Sequence, residues 1–176
     1  MLNSNLLKSK INIDIAVDAQ SMSRIDMWSK MYQNKAPWLS DEILSLNLPA
    51  SIASELSRLT TIELKTAVSG ENKRAEYLDE QYQVVTEDVR LFTEYAAAKG
   101  GIILKPYVDD NKIKVDYIQA EDFYVTSYDS SKNITGAAFL DRKTIGDKIY
   151  TRVETHTSTP EGILITNNAF VSTTVN

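Results

Sequence analysis

The chain changes character at Lys99-Gly100-Gly101, and this change constrains its fold more than any other feature of the sequence. Five of the six glycines fall at or after Gly100, whereas the first hundred residues are rich in helix-forming side chains. Apolar residues recur at helical spacing before the two glycines and at every second position after them. The sequence therefore predicts an α+β fold, with N-terminal helices, one of them long, followed by an antiparallel β-sheet. It divides the chain into a mainly helical part, residues 1–99, and a β part, residues 100–176, which together form one domain.

Three helices are predicted in the helical part. Two are marked by apolar stripes at helical spacing, namely Ile25, Trp28, Met31 and Tyr32 in the first and Ile52, Leu56, Leu59 and Ile62 in the second. The second helix starts near Pro49, because proline favours a first helical turn, and ends near Gly70. The third runs from about Asn72 to Lys99, and Gly100 ends it.

The long third helix has two adjoining apolar faces. One follows steps of four and three residues, and the other follows a seven-residue spacing through Tyr77, Val84 and Leu91. Both faces can be core, but two such faces also suit contact with more than one neighbour. We therefore treat Tyr77, Val84 and Leu91 as candidate interface residues. Trp38, which follows a proline in a polar loop, is a fourth candidate.

The β part has period-two alternation and many β-branched and aromatic residues. It predicts a hairpin of residues 102–108 and 112–118, a second pair of residues 139–145 and 148–156, and a fifth strand over residues 162–171. Residues 120–131 are expected to be an irregular connection. Strand-like sequence continues without a turn to Asn176, whereas complete domains often end in a frayed polar segment, so we expect the chain to be part of something longer.

Signals of catalysis are weak. The chain has no cysteine, which excludes thiol catalysis and thiolate metal sites. His156, the only histidine, lies in a Thr/Glu-rich segment and is therefore predicted to be a surface or sheet-edge residue. No Gly-x-Ser-x-Gly turn presents a nucleophile to it. Glycine-rich phosphate-binding turns are also missing from the sequence. We predict no catalytic residue, no cofactor and no metal ligand.

The sequence contains three carboxylate pairs, namely Asp14 with Asp18, Asp109-Asp110 and Glu121-Asp122. None of them has the spacing of a loop that binds a hard cation such as Ca²⁺. Turn chemistry explains Asp109-Asp110, and a solvated or capping role suits Glu121-Asp122. Glu63 continues the apolar stripe of the second helix, where an unpaired carboxylate is costly to bury. It is predicted to be a buried structural carboxylate, paired with an arginine or backbone donors, and the alternative is a subunit-contact or catalytic carboxylate.

The charge distribution argues against a nucleic-acid interface. The net charge of −5 is spread evenly along the chain, so no large cluster of basic residues is available to neutralise phosphates. We expect the isolated chain to bind duplex DNA weakly or not at all. Apolar stretches are far shorter than the roughly 20 residues that cross a bilayer, so no membrane span is predicted.

Seven segments, in one order over about residues 20–171, form a recognisable pattern: residues 28–38, 46–59 with Glu63 following, 97–107, 118–125, 136–139, 150–156 and 165–170. Together they resemble the N-terminal region of portal proteins from tailed phages, of the type found in siphophages and in prophages of Gram-positive bacteria. The resemblance implies a non-enzymatic structural protein of the virion. In that family a ring, usually dodecameric, forms the head–tail connector at one capsid vertex, through which DNA is packaged and ejected.

The resemblance also implies partners. Portal subunits contact one another, the packaging terminase, capsid and scaffold proteins and head-completion proteins, in the host cytoplasm during assembly and then in the virion. By this resemblance, the chain would correspond to most of the peripheral wing, outside the DNA channel, without the stem, tunnel and crown segments that follow in the family. It therefore resembles a truncated or proteolysed portal, or a prophage remnant unable to build the full ring. Two alternatives stay open: a free-standing α+β protein-interaction adaptor, and a hydrolase that uses Glu63, Glu121 or Asp122.

Overall fold

A computed structural model of the chain describes residues 4–173. Within that range it contains α1 (Ser4–Ile11), α2 (Ala19–Tyr32), α3 (Leu48–Thr61), α4 (Lys73–Thr86), α5 (Val89–Lys99), β1 (Ile102–Asp109), β2 (Lys112–Gln119), a 3-10 turn (Ala120–Asp122), β3 (Phe123–Tyr128), β4 (Ile134–Ile145), β5 (Lys148–Thr159) and β6 (Gly162–Thr173). All strand pairs are antiparallel. The predicted α+β class, with helices before antiparallel strands, is confirmed.

The chain folds as two compact units. Unit 1 comprises Met1–Asp26 and Glu121–Asn176, and unit 2 comprises Met27–Ala120. This grouping differs from the predicted division at residue 99, because the β1–β2 hairpin groups with the helices of unit 2 while the N-terminal helix groups with the sheet of unit 1. The strands accordingly form two sheets, β1-β2 and β3-β4-β5-β6.

The core of unit 1 covers one face of the four-stranded sheet. Tyr124, Ala138 and Val153 from three neighbouring strands are buried there, and Leu7 of α1 and Met22 of α2 belong to the same cluster. The segment between the two helices is extended and alternates, with Ile13, Ile15 and Val17 packed against the cluster. The N–H of Ala16 donates to the carbonyl oxygen of Val125 at 2.8 Å, so this segment covers the outer edge of β3.

Unit 2 is built on a close contact between α3 and α5. Ala53 and Ser57, which are four residues apart on α3, are both buried, and the Ser57 hydroxyl donates to the carbonyl oxygen of Arg90. On α4, the Tyr77 hydroxyl donates to the carbonyl oxygen of Asn111 at 2.8 Å and ties the helix to the hairpin turn. Small side chains on α3 let two helix backbones approach closely, which leaves its large aliphatic side chains on other faces.

The hairpins were predicted well because their turns are encoded locally. Asp110 and Asn111 both have positive φ, 51° and 57°, as a two-residue type I′ turn requires. The second hairpin and the fifth strand are present with longer strands than predicted. The fifth strand, predicted to end at Val171, extends to Thr173, and the strand-like residues 174–176 lie outside the described residues.

Three local predictions are wrong. The helix predicted over 72–99 is two helices separated at Glu87-Asp88, since Thr86 and Asp88 favour helix ends over helix interiors. Helix α3 ends at Thr61 and not near Gly70, because a run of β-branched residues, Thr60-Thr61-Ile62, weakens its last turn. Residues 120–131 are not irregular, since they include β3. Helix α1 has no counterpart in the prediction.

Candidate protein-interaction surface

The most prominent surface of unit 2 is the outward face of α3. Ile52, Leu56 and Leu59 lie one turn apart and are 65%, 48% and 59% exposed. Leu48 begins the same stripe and is also exposed. We call these four residues the α3 face. The apolar stripe that the sequence indicates is therefore present, but it points to solvent, because the smaller Ala53 and Ser57 make the contact with α5.

Two apolar depressions adjoin the α3 face. One has a volume of about 380 Å³ and is lined by the end of α2 and the loop to α3, with Trp38 and Leu46 among its walls. The other, of about 200 Å³, is lined by α2, α3 and α5, with Trp28, Ile52 and Leu56 in its wall. Met31 and Pro49 line both, so the two are neighbours. We call the α3 face and these depressions together the apolar surface of unit 2.

Helix packing holds Trp28 in place on this surface. Gly100 ends α5 with a φ of 85°, and a Cβ atom placed there would lie 3.1 Å from Cζ3 of the Trp28 ring. The glycine is thus required both by its left-handed conformation and by the close approach of the indole. Trp28 is still 42% exposed, so one side of the ring packs and part of it stays accessible.

A buried lysine anchors the helices behind the surface. Lys99 is only 2% exposed, and its ammonium group lies 5.9 Å and 5.5 Å from the ring centres of Tyr32 and Tyr95 and donates to the side chain of Gln119. Aromatic faces and an amide oxygen compensate the ammonium for its lost hydration. Burial, followed by the hydrogen bond to Glu94, raises the pKa of Tyr32 above its ordinary value. The polar network fixes the C-terminal end of α2, which belongs to unit 2, against α5.

The predicted interface residues fall in different places. Trp38 is 52% exposed and lines the larger depression. Tyr77 and Val84 are exposed on α4, and Leu91 is exposed on α5, so the break at Glu87-Asp88 interrupts their seven-residue stripe. None of these three lines either depression of the apolar surface. Their role in an interface stays a prediction.

The prediction for Glu63 is wrong as to burial. Because α3 ends at Thr61, Glu63 no longer continues the helical stripe, and it is exposed in the turn that follows. The physical reason is the same termination that shortens the helix. The Glu63 side chain is exposed and is not enclosed at an internal junction of the described residues, and its role in a subunit contact stays a prediction.

Two further polar candidates, Asp122 and His156, belong to unit 1 and are engaged in local contacts. Asp122 forms an ion pair with Arg142. His156 lies on β5, an interior strand and not a sheet edge, with Nε2 at 2.7 Å from Oε1 of Glu154 and its ring edge-on to Phe139. Among residues 4–173 no group of three or more acidic or histidine side chains is placed to hold a metal ion.

None of the helices between residues 4 and 173 is both long and apolar enough to cross a bilayer. Comparison with protein families, with curated proteins and with solved structures finds no match to this chain. The properties of the site therefore rest on its own geometry. The sequence indicates Trp38 as an interface candidate but does not indicate the apolar surface of unit 2 as a whole. Packing between α3 and α5 decides that Ala53 and Ser57, and not the larger side chains of α3, are buried.

Proposed function

We propose that this chain is a structural assembly module that binds another protein subunit through the apolar surface of unit 2, as the wing of a phage portal protein. The observation that carries the proposal is the α3 face, on which aliphatic side chains at helical spacing remain about half exposed or more. A contiguous exposed apolar patch is typical of an interaction site in a folded protein. Two neighbouring tryptophans add the residue type that most often dominates the energy of an interface.

The composition of the surface favours a protein partner. The walls of both depressions are almost entirely hydrocarbon and aromatic, and the lysines and arginines that a phosphate backbone needs do not line them. A helix face with anchors one turn apart suits an amphipathic helix or a second apolar face. The portal assignment itself rests on the collinear resemblance of the sequence, which the assembly surface accommodates.

Determining whether the reading frame continues past the codon for Asn176, and imaging the full product by electron microscopy, tests the portal assignment. We expect an open frame whose product forms closed rings of one fixed copy number. The double variant Ile52→Asp/Leu56→Asp should abolish the rings, since two carboxylates would be buried in the interface. The control Ser51→Asp adds a carboxylate at an exposed position of α3 outside the apolar stripe and should leave the rings intact.

Each result has a separate meaning. A stop codon directly after Asn176 would contradict the portal assignment and favour the free-standing adaptor, which would use the same surface. Rings that survive the double variant would contradict the role of the α3 face. Circular dichroism must give similar melting temperatures for both variants, because the substituted side chains are already exposed.

A further inference from the structure

Among residues 4–173, the outer edge of β6 is the least protected strand edge. Its twelve residues, Gly162–Thr173, pair with β5 on one side only. In an antiparallel ladder every second residue directs its N–H and carbonyl groups away from its partner, so this edge presents a row of backbone donors and acceptors. Ile163, Leu164, Ile165 and Val171 on the same strand are each at least 50% exposed.

Every other strand edge in the described range is covered or carries blocking residues, and the part of β4 that extends beyond its pairing with β3 carries Asp141, Arg142 and Lys143. The extended segment around Ala16 covers β3. Strand β1 contains Lys105 and Pro106, and β2 contains Lys112 and Lys114. Charges and proline are the usual means by which proteins prevent pairing at a free edge. Strand β6 has no charged residue and no proline, so nothing in its own sequence opposes the addition of a strand.

We propose that β6 pairs antiparallel with β6 of a second copy of this chain, across a two-fold axis perpendicular to the sheet. Such an axis keeps the core faces of both sheets on the same side and joins two four-stranded sheets into one of eight strands. A second copy is the occupant that the strand fits best because the edge is uncharged, so identical strands meet without opposing like charges. A charged peptide would find no complementary group on it.

The sequence of β6 also selects a register. With the axis at Asn167, Ile163 of each copy lies opposite Val171 of the other. The two-fold symmetry places this pair at both ends of the ladder. Leu164 then faces Phe170, and Ile165 faces Ala169, so apolar residues meet apolar residues along the ladder. A shift of the axis to Asn168 places Ile163 opposite Thr173 and Leu164 opposite Ser172, which breaks this matching. Cross-strand pairs of this kind are the unit of sheet stability.

Two double variants test both the pairing and its register. Ile163→Lys/Val171→Lys places lysine opposite lysine at both ends of the ladder, whereas Ile163→Lys/Val171→Glu places lysine opposite glutamate. On β5 the neighbours of these positions are Ser158 and Tyr150, which are uncharged. Positions 163 and 171 are eight residues apart, beyond the range of strong interaction within one strand.

Sedimentation equilibrium of the 176-residue chain is the measurement. We expect a concentration-dependent dimer for the wild-type chain, and a dissociation constant at least about tenfold higher for the lysine–lysine variant than for the lysine–glutamate variant. The lysine–lysine variant has a net charge of −5 + 2 = −3 and so less overall repulsion between copies. Hydrogen exchange of the β6 amides should slow as the protein concentration rises.

A wild-type chain that stays monomeric, or that forms polydisperse aggregates in place of a dimer, would overturn the proposal. So would equal dissociation constants for the two variants. A two-fold contact closes with two copies and involves unit 1 alone, so its test is independent of the rings and of the α3 face. Either proposal can therefore fail while the other stands.

Discussion

The phenolic hydroxyl of Tyr32 donates a hydrogen bond of 2.7 Å to a carboxylate oxygen of Glu94, 62 residues later in the chain. It joins the last residue of α2 to the middle of α5, directly beside buried Lys99. The bond needs a protonated phenol, and burial followed by the hydrogen bond with Glu94 keeps the pKa of Tyr32 raised.

An alkaline loss of stability follows from this pair. Because the folded pKa lies above the unfolded value of about 10, the contribution of Tyr32 is complete below pH 10 and is lost as the pH rises toward the folded pKa. Urea unfolding at pH 9, 10 and 11 should give a falling free energy. Tyr32→Phe should lower stability by about 1 kcal/mol at pH 8 and reduce the alkaline slope by up to about 1.4 kcal/mol per pH unit. An unchanged slope in the variant would show that other groups cause the fall.

Ser57 provides a test of the contact between α3 and α5. Its side chain is fully buried and donates to the Arg90 carbonyl. Ser57→Ala should cost about 1 kcal/mol through loss of the hydrogen bond, and Ser57→Leu about 2–3 kcal/mol because the larger side chain separates the helices. Chemical denaturation measures both. If the leucine variant were as stable as the alanine variant, the helices would not be in close contact at this position.

The two neighbouring glycines after α5 form a matched pair. Gly100→Ala should destabilise unit 2 by about 1–2 kcal/mol, because alanine must adopt a φ of 85° and its Cβ meets the Trp28 ring. Gly101→Ala is the control, since a Cβ there contacts nothing within 4 Å. It should be neutral or slightly stabilising. Tryptophan fluorescence should shift in the first variant only, and equal effects of both would contradict the proposed packing.

An acid-side dependence is expected from the start of α2. Asp18 accepts hydrogen bonds from the N–H and hydroxyl of Ser21, at 2.8 and 2.7 Å, and these bonds hold the pKa of its carboxyl below the ordinary value. The stabilisation is present above the unfolded pKa of about 4 and is lost as the pH falls through the lower folded pKa. Asp18→Ala should lower the melting temperature at pH 7 and have a smaller effect near pH 2. An equal loss at both pH values would contradict the carboxylate cap.

Local signals in the sequence are enough to predict some elements of the fold, whereas contacts between distant segments decide others. The hairpins could be predicted because Asp110-Asn111 and Gly146 set their turns within a few residues. The break at Glu87-Asp88 was not predicted, because neither glycine nor proline marks it and the preference of Thr86 and Asp88 for helix ends is a weak signal. Strand β3 was missed because Thr126 and Ser127 interrupt its apolar pattern, and its pairing with β4 is a contact between distant segments.

The same distinction between local signals and distant contacts applies to the candidate interaction surface. The exposure of Trp38 could be predicted from its setting after a proline in a polar loop, whereas its role in an interface stays a prediction. The α3 face could not be assigned, because its stripe is equally typical of a buried helix and only the contact of Ser57 with α5 turns it outward. Glu63 was misjudged for a related reason, since its burial depended on a helix that ends two residues earlier.

The interrupted order of unit 1 has a consequence for synthesis on the ribosome. Leu7 and Val153 are both fully buried in one core, yet they are 153 − 7 = 146 residues apart. At about 5–20 residues per second, the first waits about 7–30 s for the second to be made. Unit 2 is contiguous and is complete before β4, β5 and β6 exist as polypeptide. Unit 2, which lies within unit 1 in the sequence, is therefore synthesised in full first. During that time the N-terminal segment of unit 1 has no β-sheet to pack against.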